Sequence, residues 1–265
     1  MKTLALLLFP ILALAAGNQE SNKALWPMGD VIPQVIFGGE WKTTVYLLND
    51  KEEPAVVTIS FFRAGRDPKD ESDPFPIAGM GTAADQKVTI QPGGHVYVVI
   101  AANSEETVYG YGIVESRKPD GSYQGGVVGY VFLRNHTPAR PQDFEISYGF
   151  QSSYDEAYVM PFDQGNYGQV VLTLVNARGI ASWPRDPVSV IARIRDGDGS
   201  VIWEKIFSLK PDETSIINFA KLDKATWNVE GTLTLSGTGS FTATALRIND
   251  SGSFTAVTPF DMRLE

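Results

Sequence analysis

Cysteine is absent from this sequence of 265 residues, and histidine occurs only twice, at His95 and His136. Without cysteine, no disulfide can hold the fold and no lipid-modified cysteine can anchor it, so stability has to come from packed apolar cores. Neither histidine belongs to a His-Glu-x-x-His motif, and a zinc site without cysteine would need carboxylate ligands. A zinc centre is therefore not indicated.

Long apolar runs are also missing. The longest, residues 4–14, is about half of the roughly 20 residues that a membrane-spanning helix needs, so a membrane anchor is disfavoured. With Lys2 before it and small residues up to Ala16 after it, this run predicts a signal peptide over residues 1–16 that is removed by cleavage. We therefore expect a protein that is secreted, and periplasmic or extracellular, with no membrane span.

Positive charge is scarce, because 22 Lys and Arg face 31 Asp and Glu and the formal net charge is −9. Nucleic acids and anionic membranes attract basic surfaces, so nucleic acid is excluded as an expected partner. The sequence has no Gly-x-Ser-x-Gly elbow and no cluster of titratable residues with catalytic spacing. We expect a protein that is not an enzyme and that needs no cofactor.

One acidic run, "DGDGS" at residues 196–200, resembles the start of a calcium loop. The sixth position of a helix–loop–helix calcium site requires glycine, but Val201 stands there. We interpret the run as a hairpin turn, in which Asp-Gly supplies the positive φ angle. Asp196 and Asp198 are weak candidates for metal ligands.

No run of ten or more residues has a helical period, whereas period-two alternation is frequent. Val57, Ile59 and Phe61 alternate with polar residues, and turn signals such as "KPDGS" at residues 118–122 recur at short intervals. Alternation of this kind buries one face of each strand and exposes the other. The pattern predicts an all-β protein of packed antiparallel sheets, with about seven short strands in each half.

The chain also repeats itself. "TTVYLLND" at residues 43–50 matches "VVLTLVNA" at 170–177, and each run ends in Asn followed by one more residue. Two further pairs follow in the same order: "VTIQPGGH" with "FSLKPDET", and "YGYGIVES" with "EGTLTLSG". We therefore predict two tandem antiparallel β-sandwich, immunoglobulin-like domains related by duplication. The predicted boundaries are residues 17–30 for an N-terminal arm, 31–148 for domain 1, 149–157 for a linker and 158–265 for domain 2.

These runs, with "IPQVIFGGEWKTTVYLLND" and "YVMPFDQGNYGQVVLTLVN" at the start of each half and "ALRINDSGSFTAVTPF" near the end, resemble duplicated β-sandwich modules of exported bacterial proteins. The resemblance covers nearly the whole chain after the predicted signal peptide. The second half departs from it at Asp212 and Glu213, where the pattern favours Gly-Gly. The resemblance implies a fold and carries no activity or catalytic residues.

We hypothesise a non-enzymatic exported tandem β-sandwich that serves as a cell-surface, adhesive or assembly module, including as a filament subunit. Its expected partner is a protein or glycan at the cell surface, or a second copy reached through the arm, where Leu25, Trp26 and Met28 would add to a neighbour. The arm could instead fold back on its own domain. The alternative is a carbohydrate-binding module that uses the loop aromatics Trp183, Tyr123 and Tyr154.

Overall fold

A computed structural model describes residues 30–64, 85–100, 105–125, 127–136, 143–151, 156–177, 186–251 and 253–261. The predicted signal peptide, the arm residues Leu25, Trp26 and Met28, and the loop aromatics Tyr154 and Trp183 lie outside these ranges. Within them, neither of the two short helices is long or apolar enough to cross a membrane.

The first half of the described chain forms two antiparallel sheets of four strands each. Its strands are β1 (Asp30–Phe37), β2 (Trp41–Asn49), β3 (Ala55–Arg63), β4 (Asp85–Ile90), β5 (His95–Ile100), β6 (Val108–Arg117), β7 (Val127–Asn135) and β8 (Phe144–Gly149). Sheet A has the strand order β1-β6-β3-β4, and sheet B has the order β5-β2-β7-β8.

The second half also forms two antiparallel sheets. Its elements are β9 (Ala157–Asp163), α1 (Gln164–Tyr167), β10 (Gln169–Val175), β11 (Val188–Arg195), β12 (Val201–Leu209), β13 (Thr214–Asn218), α2 (Phe219–Leu222), a 3-10 turn (Lys224–Thr226), β14 (Glu230–Gly237), β15 (Thr242–Ile248), β16 (Phe254–Val257) and β17 (Phe260–Asp261). Sheet C has the order β12-β11-β14-β9-β17 and sheet D the order β13-β10-β15-β16. The prediction of an all-β, antiparallel protein is confirmed.

The strand alternation read from the sequence decides which side chains are buried. In β3, Val57, Ile59 and Phe61 are fully buried while the residues between them are partly exposed. Side chains from sheets A and B fill one apolar core, and side chains from sheets C and D fill another. Period-two alternation produces this arrangement because one face of each sheet is turned inward.

A buried asparagine stands at the end of the second strand of each half, as the last residue of β2 and as the residue after β10. It holds a turn that lies elsewhere in the sequence. Asn49 Nδ2 donates to the carbonyl oxygen of Ile90 at 3.1 Å, and its carbonyl accepts from Gly93 N at 3.0 Å. Asn176 repeats this, with Nδ2 donating to the Leu209 carbonyl at 3.3 Å and its carbonyl accepting from Asp212 N at 2.9 Å.

The two halves pack against each other. Val31, Tyr111, Ile113 and Val175 form a boundary cluster with Phe62 and Ala177. The ring of Trp41 in the first half also lies 5.0 Å from that of Phe254 in the second. Gln151, in the predicted linker, pairs with Val31 through two backbone hydrogen bonds of 2.7 and 2.9 Å.

Strand β1 is buried on both faces, which the alternation rule does not lead us to expect. Ile32 and Ile36 point into the core between sheets A and B, whereas Val31 belongs to the boundary cluster. The strand contacts β10 and β15 of the second half. Burial between the two halves explains why all residues after Asp30 in this strand are buried.

Candidate functional site

Tyr123 is the one loop aromatic of the three predicted ligand residues that falls within the described part of the chain. It lies between β6 and β7, forms an isolated bridge with Arg117 and is 50% exposed. The turn before it is ordered by Asp120, whose Oδ1 accepts hydrogen bonds from the Ser122 N–H at 2.8 Å and from the Ser122 hydroxyl at 2.6 Å. These two bonds lower the pKa of the Asp120 carboxyl.

An open cleft of about 340 Å³ lies beside Tyr123. Its wall consists of Lys51, Glu52, Glu53, Lys118, Tyr123, Gln124 and Gly125. Lys118 Nζ lies 2.8 Å from Glu53 Oε2, and this hydrogen-bonded ion pair raises the pKa of Lys118. The cleft therefore has a rim of mixed charge and an aromatic side.

A smaller pocket of about 20 Å³ adjoins the cleft and shares Tyr123, Gln124 and Gly125 with it. The rest of its wall consists of Asp30, Val114, Ser116 and Val127. Ser116 Oγ and Gln124 Oε1 are buried and have no hydrogen-bond partner among the described residues. Burial raises the pKa of the Asp30 carboxyl. We call these two spaces the outer cleft and the inner pocket.

A second surface, not singled out from the sequence, is the outward side of sheet B. Tyr46 in β2 stands directly opposite Tyr97 in β5 on one side and Tyr130 in β7 on the other. Tyr97 is 58% exposed and Tyr130 is 52% exposed. The rings of Tyr46 and Tyr97 lie 5.0 Å apart at an angle of 52°, and His95 lies 5.6 Å from Tyr46.

Other side chains on the same side of sheet B flank this row. Leu48 pairs with Val128, which is 44% exposed, and Thr44 pairs with Phe132. We call Tyr46, Tyr97 and Tyr130, with His95, Leu48 and Val128 beside them, the tyrosine face. The alternation alone places each tyrosine outward, but the strand order β5-β2-β7 is needed to place them side by side.

The weak metal candidates lie in a hairpin turn between β11 and β12. Asp196 Oδ1 accepts hydrogen bonds from Asp198 N at 3.0 Å and from Ser200 N at 2.9 Å, and Gly199 has a φ angle of 82°. This oxygen of Asp196 is therefore used to order the turn. Among the residues that the structure describes, no group of three or more His, Cys, Asp or Glu could hold a metal ion.

The two histidines lie apart from the cleft. His95 belongs to the tyrosine face, whereas His136 lies 2.5 Å from one carboxylate oxygen of Asp143 and Arg134 pairs with the other oxygen. The hydrogen bond from His136, followed by that from Arg134, lowers the pKa of the Asp143 carboxyl. This arrangement ties the end of β7 to the start of β8 at an exposed position.

Comparison with known proteins finds no family model that matches the chain and no curated protein with significant sequence similarity. Of the two surfaces, the tyrosine face lies on the outward side of sheet B, whereas the outer cleft and the inner pocket are concave.

Proposed function

We propose that the chain is a tandem pair of β-sandwiches that arose by duplication. The support is that the eight strands β9–β16 occupy the same sheet positions as β1–β8, so that sheets C and D repeat the strand orders of sheets A and B, with β17 added at an edge. Asn49 and Asn176 make the same contacts, and Gly93 and Asp212 take up the same left-handed conformation, with φ angles of 65° and 62°.

We also propose a relationship to the immunoglobulin fold in each half. In that fold the second strand pairs with the fifth and the third with the sixth. The pairs β2–β5 and β3–β6 follow this rule, as do β10–β13 and β11–β14. The outer strands differ, since β1 pairs with β6 and β7 pairs with β2. The proposed domains are thus variants of the immunoglobulin arrangement with exchanged outer strands.

For the molecule as a whole, we propose a non-enzymatic binding module that is exported and attaches to a protein partner at the cell surface. The observation that carries this is the tyrosine face, in which three tyrosines from neighbouring strands lie side by side on the outward side of sheet B. Two of them, Tyr97 and Tyr130, are more than half exposed. Tyrosine is enriched at the centres of protein interfaces because its ring buries a large area while its hydroxyl can hydrogen-bond. The leader-like residues 1–16 support export.

The geometry of the face favours a protein over a polysaccharide. Several rings that stack on one flat glycan chain would need to be nearly coplanar, whereas Tyr46 and Tyr97 are tilted by 52°. Leu48 and Val128 beside the rings supply aliphatic surface, which packs against apolar protein side chains through the hydrophobic effect. An uneven apolar surface with polar hydroxyls is typical of the buried centre of a protein interface.

Photo-crosslinking tests this proposal even though the partner is unidentified. A benzophenone amino acid is placed at position 97, in the tyrosine face, and separately at position 227, where Trp227 is 49% exposed and lies in the second half. After irradiation of the cells that produce the protein, we expect a discrete protein adduct from position 97 and none from position 227. Adducts of equal yield from both positions, or none from position 97, would contradict the proposal.

A quantitative test follows once the adduct is identified. The double variant Tyr97→Ser and Tyr130→Ser should weaken binding of the purified partner by about thirtyfold or more, since a central interface tyrosine contributes about 2 kcal/mol. The thermal midpoint should stay unchanged because both side chains are more than half exposed. An adduct that is a second copy of this chain would identify the protein as an assembly subunit, and sedimentation velocity of the double variant would then show loss of the dimer.

A further inference from the structure

The inner pocket beside Tyr123 contains buried polar side-chain atoms that have no hydrogen-bond partner among the described residues. Ser116 is 9% exposed and Gln124 is 5% exposed, yet Ser116 Oγ and Gln124 Oε1 have no partner among the described residues. Asp30, which is partly buried, lines the same pocket, and the pKa of its carboxyl is raised by burial with no hydrogen bond or charge of another described residue contributing. Buried polar atoms are normally paired, so two buried unpaired atoms beside a carboxylate point to a hydrogen-bonding ligand in this pocket.

The orientation of the Gln124 amide is fixed by its other end. Gln124 Nε2 donates to the carbonyl oxygen of Glu53 at 3.3 Å. A carbonyl oxygen can only accept, so the amide nitrogen must face Glu53 and the amide oxygen must be the atom without a partner. The backbone N–H of Gln124 is also used, because it donates to the Ser116 carbonyl at 3.2 Å. The side chain therefore offers one free acceptor to the pocket.

The size of the pocket limits what can supply the donors. Its volume of about 20 Å³ corresponds to one water-sized group, since a single water needs about 10–15 Å³ measured in this way. A primary ammonium group is of this size, has three N–H donors and has no acceptor. A single water molecule can also pair with all three groups, because the Ser116 hydroxyl can donate to it, but it would leave the Asp30 carboxylate without a countercharge.

We propose that the inner pocket binds the ammonium group of a small primary amine and that the outer cleft holds the rest of that ligand. Asp30, Gln124 and Ser116 accept its three hydrogen bonds. The ring of Tyr123, which lines both spaces, faces the cation, as aromatic rings do in many amine sites. The volume of the outer cleft, about 340 Å³, is within the range of sites for small molecules, about 300–1,000 Å³.

The charges around the pocket are consistent with this assignment. Burial raises the pKa of Asp30 because its carboxylate loses water without gaining a positive partner, and an ammonium group would supply that partner. The two lysines at the cleft are already paired, Lys118 with Glu53 at 2.8 Å and Lys51 with Asp50 at 3.3 Å. The cation is therefore expected to come from a ligand.

Amide NMR of the purified full chain tests the proposal with simple probes. n-Butylammonium chloride is titrated at neutral pH beside two controls, butan-1-ol, which is neutral, and tetramethylammonium, which has charge but no N–H donor. We expect only n-butylammonium to shift the amide signals of Ser116 and Gln124. Asp30→Asn should weaken its binding by about tenfold or more, while Glu145→Gln, an exposed carboxylate of the same half, should not.

Ser116→Ala is a second variant, which removes one hydrogen-bonding group with little change in shape. It should weaken the binding of n-butylammonium by several-fold and leave the thermal midpoint of the protein unchanged. Nα-acetyl-lysine methylamide and glucosamine then distinguish an amino-acid amine from an amino sugar, and one of the two should bind more tightly than n-butylammonium. The proposal is overturned if no amine shifts these signals, if butan-1-ol or tetramethylammonium binds equally well, or if Asp30→Asn keeps full affinity.

Discussion

Among single residues, Asn49 and Asn176 show how one side chain can hold a distant turn. Both stand at the end of an alternating strand, and the sequence predicts turn residues there because asparagine bonds to nearby backbone groups. Asn49 does accept from the nearby Lys51 N–H at 3.1 Å, but its amide also donates to Ile90, 41 residues away. Asn176 reaches Leu209, 33 residues away. Each asparagine therefore fastens the end of β2 or β10 to the Pro turn that follows β4 or β12.

We expect Asn49→Ala and Asn176→Ala each to lower the free energy of unfolding by about 1–3 kcal/mol, because each leaves buried carbonyl groups without a donor. Chemical denaturation of the purified variants measures this. Asn166→Ala, at an exposed position, is the control and should change stability by at most about 0.5 kcal/mol. Equal stability of all three variants would mean that water replaces the asparagine amides at no cost.

Between neighbouring strands, close contacts of the backbones determine where glycine is required. In β14, a Cβ atom at Gly231 would lie 1.9 Å from the carbonyl oxygen of Arg195 in β11. The pairing of β11 with β12 shifts register between Ile194 and Arg195. Gly231 therefore allows β14 to approach the end of β11 at this irregular point, where any side chain would push the strands apart.

Gly231→Ala should accordingly destabilise the protein by about 1–3 kcal/mol, the usual cost of forcing extra atoms into a packed site. Thermal denaturation followed by circular dichroism is a suitable measurement. Gly197→Ala is the matched control, since a Cβ atom there meets nothing within 4 Å. A Gly231→Ala variant as stable as this control would show that β14 can move away from β11 without loss of pairing.

In the molecule as a whole, the two cores are joined by an apolar boundary. Phe254 belongs to sheet D but packs with the core of the first half, where its ring lies 5.0 Å from Trp41 and 6.4 Å from Phe144. Val175 of β10 is fully buried in the boundary cluster with Tyr111. Because these contacts bury apolar surface from both halves, unfolding one half exposes surface of the other.

We expect the protein to unfold in a single calorimetric transition and Phe254→Ala to broaden or split it, with a loss of about 3 kcal/mol from the apolar contacts of the ring. Phe260→Ala provides a matched control, because Phe260 is 69% exposed in β17. If both variants gave the same single transition as the unchanged protein, the boundary would contribute nothing to cooperativity.

Strand character and the inward or outward direction of most side chains could be predicted from the amino-acid pattern alone. Alternation in β3 and β11 identifies Val57, Ile59, Val190 and Ile194 as inward-facing, and all four are fully buried. The same pattern identifies the repeated segments that form β2 and β10. These properties are local, since they depend on the pleat of a single strand and not on which strands lie beside it.

Only the tertiary structure decides which strands lie side by side and which surfaces face each other. The tyrosine face depends on β5, β2 and β7 being neighbours, and the inner pocket brings Asp30 of β1 together with Gln124, which is 94 positions further along the chain. The continuous burial of β1 depends on the second half. Contacts of this kind are non-local, so the pattern along one strand cannot contain them; they arise when sheets pair and cores pack.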